Sequence, residues 1–148
     1  MHSSFRTFCF FFFVVLLFCS CSKDEKVYSD TPEISLVSVS PGSVSEGDPV
    51  TFTISYTDGD GDLGENNANV NNLFLTDTRV NVTYKYRISQ LSPDNSHIVI
   101  KGNLNVVLNG TAITNGSSSQ QAAYSIYVVD RAGHKSNSVT TTPVTIHQ

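Results

Sequence analysis

The stretch that decides the fold class is Val50-Thr51-Phe52-Thr53-Ile54-Ser55-Tyr56. Apolar side chains alternate strictly with hydroxyl side chains along it, and a period of two residues places the two kinds on opposite faces of a β-strand. We therefore expect a half-buried strand in which Phe52 and Ile54 lie in the core and Thr53 lies on the outer face.

Two longer segments on the C-terminal side continue the same alternation. Residues 80–88 carry apolar or aromatic side chains at every second position, with Asn, Thr, Lys and Arg between them. A further strand is predicted from His97 towards Leu108. Gly102 interrupts its pattern and predicts a bulge or bend, because a strand interior rarely holds glycine without such a reason.

Four less regular segments complete the predicted strands. Residues 34–39 change phase midway, as a first strand does when it switches sheets. Residues 73–75 form a short strand, and residues 123–129 are apolar on both faces, as in a central strand. Residues 139–146 contain Pro143, which predicts an edge strand. About seven strands in about 115 residues, separated by turn signals and without a helical apolar stripe, predict an all-β antiparallel sandwich.

Charge and cysteine placement narrow the functional classes. Only Arg6 is charged before Cys21, which leaves eight basic and thirteen acidic residues after it. A modestly acidic domain without a basic patch is a poor partner for nucleic acid. The three cysteines lie at positions 9, 19 and 21, so the predicted domain contains no disulfide and must fold on its hydrophobic core.

The N-terminus has the composition of a secretory signal peptide, which we assign to residues 1–20. An unbroken apolar run of about eleven residues covers positions 8–18 and follows Arg6. A helix that spans a bilayer needs about 20 such residues, so this run is too short to be one.

The residues Phe18-Cys19-Ser20-Cys21 resemble the lipobox of bacterial lipoproteins. The resemblance implies that Cys21 receives a diacylglycerol and becomes the first residue of a membrane-anchored chain; ordinary secretion with cleavage nearby is the alternative. Residues 21–32 are predicted to be a flexible tether, in which ten extended residues would reach about 33 Å.

The following residues, Ser22-Lys23-Asp24-Glu25, resemble the export signal of Bacteroidetes-type lipoproteins. That resemblance implies placement on the outer face of the outer membrane, at the cell surface. A solvated linker of a lipoprotein on the periplasmic face could have the same sequence, so both locations remain open.

Residues 33–148 resemble a bacterial immunoglobulin-like domain. The run from Tyr124 to Asn137 is similar to the penultimate strand and following loop of such domains, and the run from Val39 to Phe52 is similar to their first two strands. Together with residues 57–64 these runs resemble Ig-like lipoproteins of Bacteroidetes. The resemblance implies an Ig-like sandwich of about seven strands and says little about function.

The acidic loop Asp58-Gly59-Asp60-Gly61-Asp62 is the main candidate site. Calcium binds six to eight oxygen ligands, mostly carboxylates and carbonyls, and glycine lets a loop fold around an ion. In an Ig-like sandwich the loops after the second and sixth strands share one pole, which would bring Asp130 to the same calcium. An EF-hand is excluded because Leu63 occupies the position that requires glycine. An ordinary Asp/Gly turn remains the alternative.

No set of residues in the sequence has the pattern of a catalytic site. His134 lies between Asp130 and Ser136, but one short loop rarely assembles a triad with a pocket and an oxyanion site, so we expect an exposed loop histidine. The sequence predicts a non-enzymatic binding or structural module of the cell envelope that contacts a glycan or an envelope protein. The alternative is a small glycan-active enzyme, or a glycan-binding accessory of an uptake system.

Overall fold

The computed structural model describes residues 27–148; the predicted signal peptide and Cys21 lie outside the described residues. This part of the chain is all-β, and no helix in it could cross a membrane. Its ten strands are β1 (Glu33–Ser40), β2 (Ser43–Ser45), β3 (Val50–Asp58), β4 (Leu73–Asp77), β5 (Val82–Tyr86), β6 (Ile100–Leu108), β7 (Ser119–Ala122), β8 (Tyr124–Val128), β9 (Val139–Thr140) and β10 (Val144–His147).

The strands form three sheets with the orders β1-β3-β6, β5-β4-β8-β9 and β2-β10-β7. All pairings are antiparallel except that of β2 with β10, which is parallel. The number of strands exceeds the predicted seven because single residues or short breaks divide longer runs; β7 and β8, for example, are separated only by Ala123. The all-β, mostly antiparallel architecture is confirmed, and it is consistent with a β-sandwich.

The core lies between the inward faces of β3 and β8. Phe52 and Ile54 are both fully buried, which confirms the predicted phase of β3. The Phe52 ring packs edge-on against that of Tyr124, with 5.0 Å between centroids and 61° between planes. This contact joins two different sheets, so burial of the β3 face holds the layers together.

The first strand departs from its prediction in one respect. The phase change is real, because a β-bulge shifts the register between Leu36 and Ser38. All of β1 nevertheless pairs with β3, and the chain passes to another sheet only afterwards, where β2 pairs with β10.

Two strands start later than the alternation predicts. β5 begins at Val82 because Asn81 has a left-handed backbone, with φ of 55°, and residues 78–81 form a turn that leaves Val80 45% exposed. β6 begins at Ile100, after His97, whose φ of 42° is incompatible with an extended strand.

The prediction of a bulge at Gly102 is wrong, and the edge-strand prediction for residues 139–146 is confirmed only for their first part. The register of β6 against β3 is unbroken at Gly102, where an added Cβ would lie 2.9 Å from the Tyr56 hydroxyl. Glycine is there to make room for a cross-strand ring, without any bulge. Pro143 lies in the break between β9 and β10; β9 is an edge strand as expected, but β10 is central, between β2 and β7.

Candidate functional site

The acidic residues lie where two strands of different sheets end at one pole. Asp58 is the last residue of β3, and Asp130 follows β8 by one residue. The structure brings Asp58, Asp62 and Asp130 together, each with a carboxylate oxygen within 4.8 Å of the other two. Asp60 lies outside that group of three. We call these four residues the acidic pole.

Asp58 is fully buried, which the alternation of aspartate and glycine in the loop did not predict. Its Oδ2 accepts a hydrogen bond of 2.8 Å from the backbone N–H of Leu63, another fully buried residue. Its Oδ1 is buried and has no hydrogen-bond partner among the described residues. One oxygen of this carboxyl group therefore fixes the loop, and the other is left without a donor.

Asp62 connects the acidic loop to the loop after β8. Its Oδ2 accepts a 3.0 Å hydrogen bond from the N–H of Ala132, and its backbone carbonyl accepts one of 3.3 Å from the N–H of Arg131. Within the described part of the chain, the Oδ1 atoms of Asp62 and Asp60 are also buried without a partner.

Asp130 is held by His134, a partnership that the sequence analysis missed. Its Oδ1 accepts a 2.7 Å hydrogen bond from the His134 N–H, and its Oδ2 lies 3.0 Å from His134 Nδ1. The negative charge of Asp130 raises the pKa of the imidazole. The i, i+4 spacing of an aspartate and a histidine in one loop was the available signal.

The arrangement around His134 is not that of a catalytic triad. The Ser136 hydroxyl donates to the carbonyl of Asn137 at 2.7 Å and accepts a bond from the N–H of Val128, so it is engaged with backbone. The predicted role of His134 as a loop histidine agrees with its side-chain exposure of 47%.

The carboxylates shift one another's protonation. Burial raises the pKa of Asp58 to about 6; the hydrogen bond from Leu63 opposes this shift, and the charges of Asp60, Asp62 and Asp130 add to it. The pKa of Asp62 is raised as well, first by burial and then by Asp130 and Asp60. The N–H of Ala132 and the charge of Arg131 oppose the shift at Asp62, so the concentrated negative charge of this pole is only partly compensated.

Close packing of the acidic loop explains why it is not a free turn. Gly61 has a φ of 77°, and an added Cβ would overlap the carbonyl of Ile98. The Ser92 hydroxyl donates a hydrogen bond to the Gly61 carbonyl. A polar cleft of about 270 Å³, lined among others by Asp60, Asp62 and Arg131, connects this region to solvent.

The last residues of the predicted tether contact the domain beside the acidic pole. The N–H of Gly59 donates to the carbonyl of Ser29 at 2.9 Å, and a Cβ on Gly59 would overlap that carbonyl. The Lys101 ammonium lies 3.8 Å from the centre of the Tyr28 ring, a cation–π contact. Residues 28 and 29 are therefore docked on the domain.

A second buried charged group went unnoticed in the sequence. Asp77 ends β4 and is nearly buried; the Nε and Nη2 atoms of Arg79 donate to its two oxygens at 3.0 and 2.6 Å. Burial alone would raise the pKa of Asp77, but the hydrogen bonds and charge of Arg79 lower it overall. This pair closes the turn between β4 and β5.

Comparison with known proteins finds no match: no protein-family model, no curated protein and no solved structure is similar to the chain.

Proposed function

We propose that this chain is an Ig-like lipoprotein of the outer membrane, anchored through Cys21 and displayed at the cell surface as a non-enzymatic binding or structural module. The strand connectivity supports the Ig-like assignment. Strand β1 pairs with β3, and the next strand, β2, pairs in parallel with β10 in another sheet. Strands β4 and β8 form the centre of the sheet that faces β3. First strands divided in this way are a feature of the Ig-like sandwiches that the sequence resembles.

The observation that carries the proposal is the docking of residues 28 and 29 on the domain, beside the acidic pole. Because Tyr28 and Ser29 already contact the domain, about six residues separate it from Cys21. Fully extended, six residues span only about 20 Å. A lipid on Cys21 would therefore hold the sandwich against the membrane surface, which suits a short-range structural or binding role.

The geometry of the acidic pole favours a non-enzymatic role over a glycan-active enzyme. Glycosidases hold two carboxyl groups about 5–9.5 Å apart on either side of an accessible bond. Here one of the three carboxylates at the acidic pole, that of Asp58, is fully buried. A substrate could not reach that carboxyl group.

A groove between the sheets favours glycan binding as a second candidate function. It has a volume of about 400 Å³ and lies between β5 and β6, where Tyr86, Asn105 and Asn109 are among its lining residues. A tyrosine beside amide groups offers a sugar an apolar surface and hydrogen-bond partners. Calorimetry with envelope oligosaccharides tests this: Tyr86→Ala should abolish binding, and Lys85→Ala, an exposed neighbour on the same strand, should not.

The anchor is tested in a bacterial host that processes lipoproteins. We expect the mature wild-type chain to begin at Cys21 with a diacylglycerol detectable by mass spectrometry, to fractionate with membranes and to be cleaved by protease added to intact cells. Cys21→Ser should yield a soluble or unprocessed chain, and Cys19→Ser should behave as wild type. Wild-type membrane levels of Cys21→Ser would refute the proposal.

A further inference from the structure

We propose that Asp58, Asp62 and Asp130 bind one divalent cation of the calcium type, which links the ends of β3 and β8. This metal site goes beyond the proposed function, because it depends neither on the lipid anchor nor on any glycan or protein ligand.

The unpartnered oxygen of Asp58 is the observation that points to an ion. Clusters of acidic residues are common without metals, but this side chain is fully buried and its Oδ1 has no hydrogen-bond partner among the described residues. A buried carboxylate oxygen without a donor or a cation is strongly unfavourable. Since Oδ2 is engaged by the Leu63 N–H, Oδ1 is the oxygen available to an ion.

The distances fit a single calcium ion. Calcium–oxygen bonds are about 2.3–2.6 Å long, so two ligands of one ion can lie up to about 5 Å apart. The three carboxylates each offer an oxygen within 4.8 Å of the others, which satisfies that limit. Magnesium has bonds of about 2.0–2.1 Å and a strict octahedral geometry, and zinc prefers nitrogen and sulfur, so both fit this oxygen-only set less well.

The surrounding charges also favour a divalent cation. Arg131 lines the same cleft as Asp62 and offsets part of its charge, but its Nη1 donates to the Gly64 carbonyl and its Nε lies 3.8 Å from Asp94. His134 pairs with Asp130 alone and is half exposed. Among the described residues no basic side chain forms an ion pair with Asp58, Asp60 or Asp62, so a divalent cation would compensate charge that Arg131 offsets only in part.

An ion at this place would tie the two sheets together. Asp58 belongs to the β1-β3-β6 sheet, Asp130 follows a strand of the β5-β4-β8-β9 sheet, and Asp62 lies in the loop that connects β3 to β4. Because the unfolded chain cannot gather these three residues, the ion would bind the folded state preferentially and stabilise it.

The test uses the full chain, purified in detergent, stripped with chelator and titrated with calcium chloride. We expect one ion per chain by calorimetry and a melting temperature several degrees higher in millimolar calcium than in chelator. Terbium luminescence excited through tyrosine gives a direct binding signal that does not depend on a stability change. Magnesium at the same concentration should produce a clearly smaller shift.

Variants assign the ligands. Asp58→Asn and Asp62→Asn should each weaken calcium binding at least tenfold, and Asp58→Asn should still fold, because it removes a buried charge without changing size. Glu33→Gln, the same change of charge at an exposed residue that pairs with Thr57 next to Asp58, should bind as wild type. No heat, no terbium signal and no melting shift in the wild type would overturn the proposal. So would undiminished binding in both aspartate variants, and an equal response to magnesium would overturn the calcium assignment.

Discussion

Replacing Phe52 by alanine tests whether β3 holds the two layers together. The ring is fully buried and packs edge-on against Tyr124 at 5.0 Å. A Phe→Ala change in such a core costs about 3–5 kcal/mol, since it removes buried apolar surface and leaves a cavity. For a domain of this size about 1 kcal/mol corresponds to about 4 °C, so we expect a melting temperature about 12–20 °C lower.

The adjacent residue supplies the matched control. Thr53 lies on the opposite face of the same strand, and its hydroxyl donates a 2.9 Å hydrogen bond to Asn105 at an exposed site. A hydrogen bond of this kind contributes about 0.5–1.5 kcal/mol to stability, and an exposed one lies at the lower end of that range. Thr53→Ala should therefore shift the melting temperature by only a few degrees.

Thermal unfolding followed by circular dichroism, and urea unfolding with comparison of m-values, measure both variants. Phe52→Leu, which keeps most of the buried volume, should recover more than half of the loss caused by Phe52→Ala. If Phe52→Ala and Thr53→Ala destabilise equally, the assignment of the inward and outward faces of β3 is wrong.

Two further perturbations test the buried ion pair and the docked tether. Asp77→Asn leaves Arg79 buried without its carboxylate and should cost about 3 kcal/mol at pH 7. The pKa of Asp77 in the folded protein is below its ordinary value of 3.8, so its contribution to folding stability is present above that pH and is lost as pH falls through the folded pKa. The difference in melting temperature between the wild type and Asp77→Asn should therefore shrink between pH 5 and pH 2. A difference that stays constant over this range would contradict the prediction. Gly59→Ala should expel Ser29 from the pole and expose residues 27–30 to limited proteolysis, while Gly42→Ala, in open space, should leave their cleavage unchanged.

The sequence predicted most reliably what depends on side-chain alternation. The β3 pattern placed Phe52 and Ile54 correctly because burial of one face leaves a period of two. The starts of β5 and β6 were missed, since nothing in the alternation signals the left-handed backbone of Asn81 or His97. Gly102 was misassigned because its reason lies across the sheet, in the ring of Tyr56.

The sequence predicted where the acidic residues lie in the fold, but it did not predict how deeply they are buried. Strand order was enough to bring Asp58 and Asp130 to one pole, whereas the alternation of aspartate and glycine gave no indication that Asp58 is buried. The acidic loop is held by the hydrogen bond from the Leu63 N–H to Asp58 and by contacts of Gly61 with Ser92 and Ile98, which are distant in sequence. The pairing of Asp77 with Arg79 likewise depends on the turn at residues 78–81, part of which the alternation had assigned to a strand.

The parallel pairing of β2 with β10 has a mechanical consequence. The chain enters the domain at the acidic pole, where Ser29 meets Gly59, while β10 runs alongside β2 towards the opposite pole, where the N–H of Glu46 donates to the His147 carbonyl. A pull between Ser29 and His147 would therefore drag the two strands lengthwise in opposite directions. Under that shear the backbone hydrogen bonds between them share the load and must break together, so this pairing resists tension applied between the two ends of the described chain.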